Sequence, residues 1–103
     1  MTIQWSNKAL TQQDSITDYI FSEFGKAAVE KFYRQLEVVE TDLLSYPELG
    51  KIEPLTTHRK HQYRSIIVAN RSKMVYYIQG DVIRIAAFWD IRREPKQQVK
   101  HLK

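Results

Sequence analysis

Along this chain the apolar positions change period, from a short alternation to helical spacing and back to alternation. Ile3 and Trp5 alternate with Thr2, Gln4 and Ser6, which predicts a short half-buried strand. Ser6 and Asn7 then offer N-cap side chains. Leu10, Gln13, Ile16, Ile20 and Phe24 recur at three- and four-residue steps, with Asp14, Thr17 and Asp18 off that stripe. The pattern is an amphipathic helix that ends at Gly25. Val29, Phe32, Leu36, Val39 and Leu43 continue as a narrow seam, stopped by Tyr46-Pro47-Glu48-Leu49-Gly50. With Gly25 alone between them, the two helices should fold back on each other as an αα-hairpin.

Residues 51–61 read as a loop, carrying Pro54, Thr56, Thr57 and the basic cluster His58-Arg59-Lys60-His61. Three strands follow, Tyr63–Ala69, Lys73–Ile78 and Val82–Trp89. The connections Asn70-Arg71-Ser72 and Gln79-Gly80-Asp81 are short enough to force antiparallel hairpins. The predicted fold class is therefore α+β: an N-terminal strand, an αα-hairpin, then a three-stranded antiparallel meander, with the helices on one face of an antiparallel sheet. Simple alternation puts Arg64, Ile66 and Val68 on one face of the first meander strand, and Arg84 with Phe88 on one face of the last. Tyr76 and Tyr77 should point to opposite faces. Residues 1–95 make one domain and 96–103 a basic tail.

Charge adds an asymmetry to this layout. The formal net charge is +4, but residues 1–55 carry nine acids against five bases, whereas residues 56–103 carry eleven bases against Asp81, Asp90 and Glu94. One half is thus −4 and the other +8. A basic half built onto a near-neutral scaffold suits an acidic partner, although a solvated basic face would look the same. Absence of cysteine excludes disulfides, thiolate nucleophiles and cysteine-ligated zinc. The N-terminus lacks a basic-then-apolar leader and no apolar run approaches a membrane span, so a small cytoplasmic protein with no membrane role is expected.

Chemistry is narrowed further by what the sequence omits. Gly25, Gly50 and Gly80 are isolated, so no phosphate-binding loop is present. No carboxylate pair falls on a pocket-lining strand, and Ser65 lacks a nucleophile turn. His58 and His61 lack a suggestive third ligand, so no metal and no cofactor are expected. Arg64, Arg84, Arg92 and Arg93 stand out. A metal-independent ribonuclease needs a base, a cation and an acid, which His58, His61, Tyr63 and Arg64 could supply if the loop folds over the sheet. Equally, Arg64 and Arg84 could pair with acids or run along the sheet edge. Trp89 could stack on a base or finish the core.

Taken in order, the motifs resemble the RelE/ParE family of bacterial type II toxins, the plasmid-stabilisation proteins. Trp5-Ser6-Asn7-Lys8-Ala9-Leu10 resembles the family's opening strand and helix, and Ser45-Tyr46-Pro47-Glu48-Leu49-Gly50 its helix-ending segment. Tyr63-Arg64-Ser65-Ile66-Ile67-Val68 resembles its tyrosine-arginine strand; Lys73–Ile78 and Val82–Pro95 resemble its last strands and closing arginine-proline element. The resemblance implies a toxin neutralised by a cognate acidic antitoxin. One branch of the family cuts messenger RNA on the ribosome; the other poisons DNA gyrase by binding, without hydrolysis. The nuclease branch commonly has an arginine before the Val-Tyr of the penultimate strand, where this chain has Met74 with Lys73 beside it. It also often has a tyrosine or histidine near its C-terminus, where only Trp89 and the distant His101 stand here. The resemblance is therefore closer to the ParE-like branch. It implies Tyr63, Arg64, Arg84, Trp89, Arg92 and Arg93 as candidates for binding target or antitoxin. If the chain is instead a nuclease, His58, His61, Arg64 and Lys73 are the catalytic candidates. A member that keeps antitoxin binding without toxicity is the third alternative.

Overall fold

A helical hairpin and a five-stranded sheet account for residues 1–54 and 60–92, those described by the computed structural model. The elements are β1 (Thr2–Trp5), α1 (Asn7–Phe24), α2 (Lys26–Ser45), β2 (Lys51–Ile52), β3 (Arg64–Val68), β4 (Ser72–Gln79) and β5 (Val82–Asp90). The Ser6 side chain caps α1 by accepting the Ala9 N–H at 3.0 Å. Gly25, at a φ of 89°, closes α1 and opens α2 at once; that left-handed backbone is where glycine is least strained.

The seam on α2 packs as its spacing predicts. Phe32, Leu36 and Leu43 are buried, with Val29 and Val39 against them. They meet Met74, Tyr76, Ile83, Ile85 and Phe88 from the sheet, and burying each such side chain is worth about 1.5–3 kcal/mol. Trp5 and Phe32 flank the Phe88 ring at 5.3 and 6.1 Å between centroids. The α1 stripe is rotated from expectation. Ile16 and Ile20 are buried, but Ala9 and Thr17 join them, while Leu10 and Phe24 are exposed. Small Ala9 lets the helix approach β5 closely, and that turns its neighbour Leu10 outward.

Strand order is β1-β5-β4-β3-β2. The meander is antiparallel as expected, but β1 runs parallel to β5, pairing Thr2–Trp5 with Val82–Ile85. The sheet is thus mixed rather than wholly antiparallel. Within the expected loop, Lys51–Ile52 forms a two-residue edge strand against Ser65 and Arg64; two residues are too few to show a period. The largest departure is a bulge. Val75 pairs with Ala87 and Tyr76 with Ile85, leaving Ala86 without an opposite number. One extra residue reverses the alternation beyond it. Ile83, Ile85 and Phe88 therefore all join the core under the helices, and Phe88 does not share the face of Arg84 as simple alternation predicts.

Beyond Trp5, no strand among the described residues pairs with the outer edge of β5, and the start of α1 covers that backbone instead. The Ser6 N–H donates to the Ile85 carbonyl at 2.9 Å, its hydroxyl donates to Ala86 O at 3.2 Å, and Gln12 Oε1 accepts the Phe88 N–H at 2.8 Å. Side chains thus satisfy an edge that would otherwise invite another strand.

Candidate functional site

The sheet face away from the helices carries a second cluster, Tyr63, Val75, Ala87 and Trp89, with Tyr77, Ala86 and Ile91 packed on it. Tyr76 is buried under the helices and Tyr77 lies on this opposite face, as their adjacency predicts. His61 stacks on Tyr77, with ring centroids 3.9 Å apart and planes 11° from parallel. Tyr63 meets both rings edge-on, at 6.2 Å from His61 and 5.5 Å from Tyr77. A packed aromatic cluster results, one stacked pair with a buried third ring set across it, held by β4 and by the residues leading into β3.

Arg84 stands beside Tyr77 on β5, with Gln4 of β1 as its other strand neighbour. Its Nε donates to Gln79 Oε1 at 2.6 Å, and its Nη1 donates to Gln4 Oε1. Both acceptors are neutral amides. They fix the direction of the guanidinium without cancelling its charge, and no described carboxylate forms an ion pair with it. A cation set this way suits recognition of an anion, because less orientational freedom is lost on binding. At the opposite end of β4, Lys73 pairs with Glu53 and lies 5.8 Å from the Trp89 ring centroid.

Arg64 belongs elsewhere. Its Nη1 donates to the carbonyls of Glu48 at 3.2 Å and Gly50 at 2.9 Å. Beside it the buried Tyr76 hydroxyl donates to Pro47 O and accepts from Gly50 N–H, each at 2.8 Å. Burial pushes the Tyr76 phenol above its ordinary range, opposed by the Gly50 hydrogen bond. Arg64 and Tyr76 thus anchor the turn after α2 to the sheet. The structure gathers His61, Tyr63, Lys73, Arg84 and Trp89 on the sheet face away from the helices, where Tyr63 and Trp89 are themselves buried, and sets Arg64 with the turn. Arg92 is exposed just beyond β5, its backbone N–H donating to Asp90 at 2.9 Å. His58, Arg93 and the tail at 96–103 lie outside the described residues.

Sequence reasoning missed Gln4, Gln79 and Glu53. Gln4 was readable as a solvent-facing strand residue, but its role depends on the parallel pairing of β1 with β5, between residues 80 positions apart. Among the described residues, no three His, Asp or Glu side chains converge as a metal ion would need, and no helix is long and apolar enough to cross a membrane.

Residues 3–95 match the family model described as the ParE toxin of the type II toxin–antitoxin system, parDE. The chain belongs to the ParE toxin family. It is a ParE-like type II toxin, and its strand, helical hairpin and sheet are the fold of that family. Its backbone is similar to a solved chromosomal ParDE TA system from P. aeruginosa, with a TM-score of 0.70 over 88% of this chain and 96% of that one. Identity to that structure is 16%, so the likeness there is one of fold. No curated protein matches the sequence. Met74, where the nuclease branch commonly has arginine, is fully buried in the ParE core under the helices.

Proposed function

We propose that this ParE-family chain acts as a binding toxin on DNA gyrase in the cytoplasm and is neutralised by a cognate acidic antitoxin. The observation that carries the reading is the separation of its cations by role. Arg64 is spent on the carbonyls of the turn after α2, Lys73 is paired with Glu53, and Arg84 is aimed, on the sheet face away from the helices, by two neutral amides. A nuclease using Arg64 and Lys73 together would need them to converge on one phosphate, yet they extend from opposite faces of the sheet. A binding surface needs only the preorganised Arg84 beside the Tyr77–His61 stack.

The direct test is a supercoiling assay with purified toxin and gyrase. Inhibition, or accumulation of cleaved DNA, is expected at a modest molar excess over gyrase and should be relieved by the antitoxin. No effect at large excess, together with codon-phased cuts of messenger RNA in a translation extract, would replace this reading with the ribosome-dependent nuclease. No effect in either assay, with normal growth on induction of soluble protein, would identify a non-toxic member.

A further inference from the structure

Two hollows meet at the turn after α2, and one of them borders the second cluster at His61. One, of about 640 Å³, is apolar in lining, with Tyr46, Leu49 and Ile78 among its walls. The other, of about 430 Å³, is lined by Lys60, His61 and Arg64 with Glu48 as its acid. Glu48 and Ile78 line both hollows, so the two form one groove, apolar at one end and net basic at the other.

The turn bearing the groove is rigid on its inner side and unspent on its outer side. Tyr76 and Arg64 fix the backbone of Pro47, Glu48 and Gly50 by four hydrogen bonds. Outward from that frame, Tyr46 is 70% exposed and Leu49 49% exposed. Apolar side chains held out to water on a fixed backbone lose little entropy when covered. At the basic end, the carbonyl contacts of Arg64 run through Nη1, and no acceptor among the described residues takes its Nε and Nη2 hydrogens.

We propose that this groove is the docking site for an acidic segment of the antitoxin, one that sets an apolar side chain between Tyr46, Leu49 and Ile78 and a nearby carboxylate against Lys60 and Arg64. The assignment rests on the toxin–antitoxin reading above and specifies where the partner is held. Charge complementarity selects the occupant: among the described residues, Lys60 and Arg64, both from the half of the chain that carries +8, face the single carboxylate of Glu48. His61 lines the basic end and also stacks on Tyr77, so a segment filling the groove reaches the border of the sheet face that carries Arg84.

The test is isothermal titration of the purified full-length toxin with the purified antitoxin encoded beside it, using Leu49→Asp, Leu49→Ala and Lys60→Glu, with Lys31→Glu on the solvent side of α2 as control. Leu49→Asp should weaken binding by roughly 30-fold or more, as a buried anchor does when lost. Leu49→Ala should weaken it less, without adding charge. Lys60→Glu should weaken it about tenfold at low salt and approach wild type near about 1 M salt, where the screening length falls to about 3 Å. Lys31→Glu should bind as wild type. Unchanged binding by all three groove variants, with tight binding by the wild type, overturns the groove and leaves the toxin–antitoxin reading intact. Failure of the wild type itself to bind overturns both.

Discussion

At Gly50 the lack of a side chain is a packing requirement. A Cβ built there would lie 2.6 Å from the Tyr76 hydroxyl oxygen and 2.9 Å from the Ser65 carbonyl oxygen, and the latter is backbone that cannot swing aside. Gly50→Ala should therefore destabilise by about 1–3 kcal/mol, the range of an overpacked core, read as a lower urea midpoint. Tyr76→Phe tests the same junction from the other side, because it leaves Gly50 N–H and Pro47 O without their hydroxyl partner. A loss of about 1–3 kcal/mol is expected. Since burial raises the folded pKa of Tyr76 above the ordinary 10.0 of a tyrosine, the unfolded chain releases this proton first. The associated stability is complete below about pH 10 and is lost as pH climbs through the folded pKa. Melts above pH 10 should fall less steeply for Tyr76→Phe than for wild type.

The elements differ in how far their sequences announced them. The α2 seam was legible because Phe32, Leu36 and Leu43 meet the sheet at their own helical spacing. The hairpin at Gly80, with a φ of 61°, was legible from its turn chemistry. The pairing of β1 with β5 was not, since no turn length links strands so distant in sequence. Nor was the bulge at Ala86, which alternation alone does not reveal and which put Phe88 on the unexpected face. The candidates Tyr63, Lys73, Arg84 and Trp89 were singled out one by one as residue types, whereas the amides that aim Arg84 required the sheet register. Gln12 offers a test of how an edge without a strand is held. Gln12→Ala strands the buried Phe88 N–H and should cost about 1–3 kcal/mol, with faster hydrogen exchange at Phe88 than at Ile83. Glu40 on α2 tests the contact with β1, where it accepts a hydrogen bond from the Trp5 side chain. Burial, with help from Glu37, raises its pKa above 4.5 despite that bond. An acid raised in the folded state contributes stability fully present below its unfolded pKa and lost as pH rises through the folded one. Glu40→Gln keeps an acceptor for Trp5 and should flatten that decline between pH 4.5 and neutrality, measured by thermal melts across the window.

On the scale of the whole molecule, the helices bury one face of the sheet, Arg84 and the aromatic rings occupy the other, and the groove lies at the turn after α2. The +4 net charge conceals this division of surfaces. If Arg84 meets the target while the groove holds the antitoxin, the two activities should separate by mutation. Arg84→Ala removes the cation that Gln4 and Gln79 aim, without touching the turn or the groove walls. Gyrase inhibition should fall by about tenfold or more, the scale of one charge-assisted contact at about 1.5–3 kcal/mol, while antitoxin affinity stays within about twofold. Replacing Gln4 or Gln79 by alanine should give a smaller loss, since the charge remains and only its orientation is relaxed. Leu49→Asp should show the reverse pattern: full inhibition, with poor rescue by antitoxin. Parallel loss of both activities in Arg84→Ala, with an unchanged melting temperature, would mean that target and antitoxin share the sheet face that carries Arg84. Neutralisation would then be direct competition for Arg84, rather than capture in the groove and extension toward His61.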